Sequence, residues 1–248
     1  MGIDIQFARS LIQDHSQFEG KKDSAMLGRQ GWAVRKRYGS TLRQTMKAAG
    51  VPRDMDRLAG EDGFAEPFFG LLGLPDIKSM DMSAYENCDF VHDLNEPPSD
   101  DLRNRFDVII DGGTIEHVFN TPQALDTVFH MLREDGVFIS INGMTGWAGH
   151  GFYQFSPELV WRYWREARGC EVIRCLALPE NPALETHDVT DTGKTGRRFR
   201  GRNMPDRWYL YYVIRKSVGS NPAERITNTQ QSDYAVKWAK SDARKETA

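Results

Sequence analysis

The hydrophobic and polar positions of the N-terminal part of the chain predict a helix, a short buried strand and a second helix. Phe7, Leu11 and Ile12 are spaced to share one face of an amphipathic helix. The apolar run 25–27 ends at a glycine and predicts the first strand of a sheet. Residues 40–49 predict the next helix, inside a polar stretch punctuated by glycine and proline.

From residue 77 onward, apolar runs that predict strands alternate with helical patterns. The predicted strands are residues 77–82, 88–92, 106–111, 137–141, 171–178 and 208–214. Thr121-Pro122 and Ser156-Pro157 each place an N-cap residue before a proline at the first helical position, which is typical of a helix start. The first of these helices is expected to end at Gly136.

This order of elements predicts an α/β protein with three layers. Crossovers long enough for right-handed βαβ units favour a Rossmann-like, mostly parallel sheet with helices on both faces. No helical pattern separates the last two strands, which predicts an antiparallel C-terminal edge strand. We expect one domain over residues 1–216, with an insertion at 32–73 after the first strand, and a polar, loosely ordered tail over residues 217–248.

Composition and charge narrow the classes of function. The chain of 248 residues contains no apolar run near the roughly 20 residues that cross a bilayer, and its N-terminus lacks the features of a secretory signal. We therefore expect a cytoplasmic protein without a membrane partner. The net charge of −3 argues against nucleic acid as a partner. The basic loop Arg197–Arg202 is either a solvated surface or a site for an anionic group of a substrate.

Acidic residues follow two of the predicted strands, where an open α/β sheet binds its ligands. Asp81 could accept hydrogen bonds from the hydroxyls of a ribose, or it could simply cap a turn. Asp93 could accept from the amine of an adenine while Leu94 packs on the ring. The alternative for Asp93 is a turn before Pro97-Pro98.

The segment FDVIIDGGTIEHVFN, residues 106–120, carries the most candidate chemistry. Gly112 and Gly113 follow a strand predicted to be buried and permit a close approach of the backbone to a ligand. Glu116 and His117 then place two titratable groups at the mouth of the sheet, where either could position a substrate or move a proton. The alternative is that His117 packs against the next helix while Glu116 caps it.

A glycine- and aromatic-rich loop, residues 149–157, precedes the second capped helix. His150 and Tyr153 could contact a substrate, and His150 could serve as a general base. The alternative is that the aromatic residues of this loop close the core. The side chains of His92, Glu116, His117 and His150 could come together, but their spacing along the chain matches no metal-ligand motif, so we expect no metal site.

Residues 76–165 resemble, motif by motif and in order, the centre of class I S-adenosylmethionine (SAM) methyltransferases. The matching motifs are Phe106–Ile110, Glu116-His117-Val118, the helix from Pro122 to Leu132, and Asp135–Ile139. The sequence departs from the family at the glycine-rich loop after the first strand. Here that loop is Gly28-Arg29-Gln30-Gly31, which has two glycines and no preceding carboxylate.

The resemblance implies SAM as the cofactor and assigns residues to it. Gly28, Arg29 and Gln30 would stand in the place of the glycine-rich loop, and Asp81 with Met82 would hold the ribose. The adenine pocket would be lined by Asp93 and Leu94, and the turn Asp111-Gly112-Gly113 would face the methionine end.

The resemblance implies methyl transfer to an oxygen or nitrogen of a small metabolite, with a sugar or glycan precursor among the candidates. Glu116, His117 and His150 would position or deprotonate the acceptor. The departure at the glycine loop supports an alternative, which is a methyltransferase-like binding or scaffold protein without catalysis. A nicotinamide oxidoreductase is a weaker third hypothesis, because the chain has no GxGxxG after its first strand.

Overall fold

The computed structural model describes residues 2–235, 237 and 238 and contains ten strands in that part of the chain. The strands are β1 Gly2–Ile3, β2 Ser24–Leu27, β3 Gly31–Trp32, β4 Lys78–Asp81, β5 Phe90–Val91, β6 Phe106–Asp111, β7 Leu132–Thr145, β8 Glu171–Pro179, β9 His187–Asp188 and β10 Trp208–Arg215. The predicted strands are confirmed within a few residues, except that β7 is longer at both ends than residues 137–141.

The helices are α1 Ile5–Gln13, α2 Gly39–Ala49, α3 Glu66–Leu71, α4 Thr121–Met131 and the single turn α5 Thr192–Thr195. A π-helix spans Val160–Ala167, and short 3-10 helices span His15–Phe18, Lys36–Tyr38 and Ile115–His117. The helix predicted to end at Gly136 ends at Met131 instead, because β7 begins at Leu132 and pairs with Phe106 of β6.

Eight strands form one sheet in the order β5-β4-β2-β6-β7-β10-β8-β9, and β1 pairs with β3 beside it. The pairs from β5 through β7 are all parallel. This confirms the Rossmann-like, mostly parallel sheet. The order also puts the carboxyl ends of β4, β2, β6 and β7 side by side along one edge of the sheet.

The last strand is antiparallel, as predicted, but its predicted place at the edge of the sheet is wrong. β10 lies between β7 and β8 and pairs antiparallel with both, and the short β9 forms that edge. The physical reason is burial. The run WYLYYVIR is apolar at nearly every position, which suits a strand covered on both faces better than an edge strand.

Helices cover both faces of the sheet, as predicted. Helices α1, α2 and α3 pack on one face, where Val108 and Ile110 of β6 point. Helix α4 and the π-helix pack on the other face, where Ile109 points. The alternation along β6 therefore places one apolar side chain after another in opposite core layers.

The insertion at 32–73 contributes to the core rather than looping away from it. Leu42 and Met46 of α2 and Phe68 and Phe69 of α3 are buried in the layer of α1. The chain then returns at β4. The insertion therefore covers one face of the sheet next to the end of β2.

The part of the predicted tail that the structure describes makes specific contacts with the body. The carbonyls of Asn221 and Ala223 accept hydrogen bonds from Arg168 at 3.0 and 2.5 Å. The amide of Ile226 donates to Asp126 at 3.2 Å. Residues 221–226 therefore supply hydrogen bonds to a buried charged pair, and the loose order of the tail stays a prediction. Residues 236 and 239–248 of the predicted tail lie outside the described residues.

Over the described residues, no helix combines the length and the apolar character that crossing a bilayer requires.

Candidate functional site

The loop after β2 brings Gly28 close to the end of β4. Gly28 has a φ of +66°, and its amide donates to the carbonyl of Met80 at 2.7 Å. A Cβ at Gly28 would lie 2.8 Å from the Thr114 hydroxyl and 3.9 Å from the Asp81 carboxylate. This position therefore needs glycine both for its left-handed backbone and for the close approach of its neighbours.

Asp81 carries the least engaged carboxylate among the candidates for cofactor binding. It is half-buried at the end of β4 and accepts one long hydrogen bond, from the amide of Ser83 at 3.4 Å. Within the described residues it forms no ion pair. Met82, beside it, is exposed. The carboxylate is free to accept hydrogen bonds from a ligand.

Asp93 and Leu94 are engaged within the protein. Asp93 accepts from the amide and the side chain of Asn95 at 2.9 and 2.7 Å, and these hydrogen bonds lower its pKa. This is the turn that the sequence offered as the alternative for Asp93. Leu94 is buried in the core layer of α4. Neither side chain forms an open wall of a pocket.

Arg29 ties the start of the loop to the insertion. Its guanidinium donates to Glu66 at 2.6 Å and to Asp62 at 2.7 Å, and it lies 3.9 Å from the centre of the Phe64 ring. The guanidinium of Arg29 is thus paired with two carboxylates of the protein. The loop after β2 and the segment 62–66 therefore form one unit.

Gln30 fills the space between the ends of β2 and β6. Its amide nitrogen donates to the carbonyls of Leu27 at 2.8 Å and Gly28 at 3.2 Å. A Cβ at Gly112 would overlap the Gln30 amide group. In the described part of the chain, the side-chain oxygen of Gln30 is buried without a hydrogen-bond partner. The nitrogen of this amide is therefore hydrogen-bonded, whereas its oxygen is not.

The carboxylate of Asp111 points into the protein, contrary to the expectation that it faces the methionine end of a cofactor. It is fully buried and accepts from Thr114 at 2.7 Å, Asn142 at 2.6 Å and Ser140 at 2.9 Å. Burial raises its pKa, against the effect of these donors. Asp111 joins the turn after β6 to β7, and only the following glycines reach the surface of the site.

A cavity of about 170 Å³ opens beside these glycines at the carboxyl edge of the sheet. Its lining combines backbone, aromatic and titratable groups: Gly112, Gly113, Glu116, Asn142, Trp147, His150, Asp4 and Tyr209. The predicted residues Gly112, Gly113, Glu116 and His150 are thus brought together around one space.

Glu116 is buried at the wall of the cavity. One carboxylate oxygen, Oε2, accepts from the amide of Gly143 at 2.5 Å. The amide of Glu116 donates to the side chain of Asn142 at 3.2 Å. Burial raises the pKa of Glu116 to about 7, and the nearby Asp111 adds to that rise. The other oxygen, Oε1, faces two imidazoles.

These imidazoles belong to His117 and His150, which are both partly exposed. His150 Nε2 lies 3.2 Å from Glu116 Oε1, and His117 Nε2 lies 3.9 Å from the same oxygen. The two rings meet edge to face with their centres 5.0 Å apart. Burial lowers the pKa of His117, and the neighbouring imidazole of His150 adds to that fall. We call these three side chains the Glu-His-His cluster.

The loop with His150 is held in place by the backbone of Glu116. The carbonyl of Glu116 accepts from the amide of Phe152 at 2.8 Å. Gly151 has a φ of +69°, and a Cβ there would lie 2.8 Å from the same carbonyl oxygen. The carbonyl of Glu116 therefore links the turn after β6 to the loop that carries His150.

Sequence reasoning did not assign Asn142, Trp147, Asp4 or Tyr209 to the site. Asn142 had a signal, because Ser140 and Asn142 are two polar residues on one face of the otherwise apolar run 137–142 within β7. The Tyr209 hydroxyl donates to Asp4 at 3.0 Å, and the Tyr209 ring lies 4.9 Å from that of Trp147. Only the tertiary structure brings these two ends of the chain together.

A wider, open cleft of about 870 Å³ shares Asp4 and Tyr209 with the cavity. Three arginines, Arg35, Arg37 and Arg207, line it together with three carboxylates, those of Asp4, Glu180 and Asp206. The predicted basic loop lines a different cavity, where Arg198 pairs with Asp233 at 2.7 Å. Its predicted role toward an anionic group stays a prediction.

His92 does not join the Glu-His-His cluster. Its amide donates to the carbonyl of Asp81 at 2.8 Å, which places it at the end of β5. Burial lowers the pKa of its ring. Of the four residues considered for a cluster, the fold unites three.

Comparisons with known proteins give structural likenesses at low identity. No protein-family model and no curated protein matches the chain. A 1,6-didemethyltoxoflavin-N1-methyltransferase from Burkholderia thailandensis, solved with S-adenosylhomocysteine, is 15% identical over 85% of this chain and 76% of its own, with a TM-score of 0.44. A TehB-like SAM-dependent methyltransferase from Corynebacterium glutamicum is 13% identical over 83% and 87%, with a TM-score of 0.40. Neither likeness assigns an activity to the chain.

Proposed function

We propose that the chain is a SAM-dependent methyltransferase that methylates an oxygen or nitrogen of a small metabolite. One observation carries this proposal. The nearly unengaged carboxylate of Asp81 and the cavity lined by Glu116 and His150 lie at the same edge of the sheet. Asp81 stands beside Gly28 with its carboxylate almost unengaged. Gln30 bridges from Gly28 to Gly112, which lines the cavity of the Glu-His-His cluster.

The residues at this edge of the sheet fit the ribose of SAM better than they fit its methionine part. Asp81 suits the ribose hydroxyls, because a carboxylate at the end of the second parallel strand can accept both of them. The gap between Gly28 and Gly112 suits the methionine part only when the Gln30 side chain moves out of it. The unpartnered oxygen of Gln30 supports such a movement, since its present position leaves half of the amide unsatisfied.

Bound SAM would supply an electrophilic methyl group, and its transfer leaves S-adenosylhomocysteine. The chain would contribute mainly proximity and orientation. The Glu-His-His cluster would hold the acceptor in the cavity and take up the proton that its oxygen or nitrogen loses. The aromatic wall of Trp147 and Tyr209 would exclude water from one side.

The size of the cavity and the arginines of the neighbouring cleft support a small acceptor with an anionic group. A cavity of about 170 Å³ suits the reacting end of a small molecule, and the three arginines of the cleft beyond it offer donors to an anionic remainder, beside the carboxylates of Asp4, Glu180 and Asp206. A sugar or glycan precursor that carries a phosphate or carboxylate meets both conditions. Arg35, Arg37 and Arg207 would contact the anionic group.

Calorimetric titration with SAM and with S-adenosylhomocysteine tests the proposal directly. We expect micromolar binding that Asp81→Ala weakens at least tenfold, because the ribose contact is lost. Asp76→Ala is the matched control, since this exposed carboxylate lies just before β4. Absence of binding by the well-folded protein would contradict the enzyme hypothesis.

Gln30 also supports a second candidate function. With its side chain between the strand ends, the methionine gap is filled, as in a protein that keeps the fold for binding or scaffolding without catalysis. The same titration separates the two hypotheses, because a scaffold would bind neither compound.

A further inference from the structure

We propose that Glu116, His117 and His150 form a binding site for one divalent transition-metal ion. Each residue offers one ligand atom, and the three atoms lie within 4.8 Å of one another. Two ligands about 2.1 Å from a shared ion, at tetrahedral or octahedral angles, are roughly 3.0 to 3.4 Å apart. The separations of 3.2 and 3.9 Å from Glu116 Oε1 to the two imidazole nitrogens require only a small closure.

Direct pairing between the side chains does not account for this arrangement. His150 Nε2 is buried without a hydrogen-bond partner among the residues that the structure describes, although Glu116 Oε1 is only 3.2 Å away. The nitrogen therefore approaches the oxygen in a direction that makes no hydrogen bond. Buried polar atoms are normally satisfied, and an ion between the two atoms would satisfy both.

The carboxylate is already oriented for an ion. Glu116 Oε2 is fixed by the amide of Gly143, which leaves Oε1 directed toward the imidazoles. Such a hydrogen bond to a ligating carboxylate is the second layer of contacts that metal sites use to orient their ligands. The anchor from the Glu116 carbonyl to Phe152 holds the His150 loop at the same time.

The ligand set selects the class of ion. Two imidazoles and one carboxylate suit Zn²⁺, Co²⁺, Mn²⁺ or Fe²⁺, whereas Mg²⁺ and Ca²⁺ prefer oxygen ligands alone. Three protein ligands leave at least one coordination position open, as in catalytic metal sites. Glu116 and His150 line the cavity, so a small molecule in it could reach the open position.

The role of the ion in catalysis rests on the proposed function, methyl transfer from SAM. An acceptor hydroxyl that binds the open position would have a lower pKa, as metal-bound water does. With Glu116, His117 and His150 bound to the ion, the cluster would no longer take up the acceptor's proton, which would pass to solvent instead. The oxygen would then form its bond to the methyl carbon as the carbon–sulfur bond of SAM breaks. The metal would not change its oxidation state.

The test is metal binding by the full chain, measured without SAM. After treatment with a chelator, the protein is titrated with Zn²⁺ by calorimetry and with Co²⁺ by visible absorption. We expect one equivalent to bind, with no comparable binding of Mg²⁺. His117→Ala and His150→Ala should each lower the affinity at least tenfold, and Glu116→Gln, which keeps an acceptor for Gly143, should lower it as well.

His15→Ala is the matched control, because it removes an imidazole outside the cluster and should leave binding unchanged. Circular dichroism of each variant verifies folding. No stoichiometric binding, or equal loss in His15→Ala, would overturn the metal site. Loss of metal with SAM binding intact leaves the proposed function standing, whereas metal binding without SAM binding overturns the proposed function alone.

Discussion

Gln30 illustrates how a single side chain controls whether the site is open. It is almost fully buried, its nitrogen is satisfied by two carbonyls, and its oxygen is not satisfied. The side chain also occupies the space above Gly112. A ligand that enters between the ends of β2 and β6 must displace it.

Replacing Gln30 with alanine should therefore strengthen cofactor binding. The Gln30→Ala variant removes the group that fills the gap, and we expect its dissociation constant for S-adenosylhomocysteine to fall several-fold in calorimetric titration. Gln13→Ala, at an exposed position of α1, should leave the constant unchanged. Weaker binding by Gln30→Ala would mean that Gln30 contacts the cofactor rather than blocking it.

Two glycines of one loop offer a matched pair for testing the anchor at Glu116. Both have left-handed backbones, with φ of +78° at Gly149 and +69° at Gly151. A Cβ at Gly149 would meet nothing within 4 Å, whereas one at Gly151 would lie 2.8 Å from the Glu116 carbonyl oxygen. The two positions differ in contacts but share the same backbone cost.

Gly149→Ala should lower the free energy of unfolding by about 1 kcal/mol, the cost of a left-handed alanine. Gly151→Ala should lower it by about 2 to 3 kcal/mol, because the new methyl group also displaces the anchored loop. Urea denaturation measures both values. Equal effects of the two substitutions would show that the contact with Glu116 carries no strain.

At the scale of elements, a fully buried ion pair joins helix α4, the π-helix and the segment after β10. Arg168 donates to Asp126 at 2.6 Å and to the carbonyls of Asn221 and Ala223. Asp126 also accepts from the hydroxyl of Tyr163. Each charged group is satisfied by several partners, as a buried pair requires.

Arg168→Met should lower the free energy of unfolding by about 3 to 5 kcal/mol, because Asp126 would remain buried without its counter-charge. Arg103→Ala breaks the more exposed pair with Glu224 and should cost less than about 1 kcal/mol. Chemical denaturation of both variants measures the difference. A cost for Arg168→Met no larger than that for Arg103→Ala would contradict the role of the buried pair.

The whole molecule depends on contacts between distant parts of the chain. Residues 221–226 satisfy Arg168 and Asp126, and the Tyr209 hydroxyl donates to Asp4 near the N-terminus. The described part of the C-terminal segment thus closes the core behind α4.

A chain that ends at Gly219 should therefore be less stable than the full chain. Removing the carbonyls of Asn221 and Ala223 leaves two hydrogen bonds of a buried guanidinium unmade, at about 1 to 3 kcal/mol each. We expect a fall in the midpoint of thermal unfolding, measured by circular dichroism. Glu224→Ala is the matched control, because it keeps the carbonyls of Asn221 and Ala223 and should change the midpoint little. Ala223→Pro would not serve, since it disturbs the backbone. An unchanged midpoint for the shortened chain would contradict docking.

The sequence by itself determined the alternation of strands and helices, because the period of apolar residues reports which faces are buried. It also predicted which strand ends and loops carry candidate polar residues, and two of the four titratable groups that line the cavity, Glu116 and His150, are among them. The sequence did not predict that the Asp111 carboxylate is buried, because the direction in which it points depends on donors from β7. The same holds for the insertion of β10 between β7 and β8.

Only the tertiary structure decided the composition of the site. His150 follows Glu116 by 34 positions, and no local spacing links them, yet a turn after β6 and a loop after β7 bring their atoms to 3.2 Å. Asp4 and Tyr209 meet from opposite ends of the chain. Local patterns specify which residues are buried or exposed, whereas distances between side chains arise from sheet order and loop geometry, which no short stretch of sequence encodes.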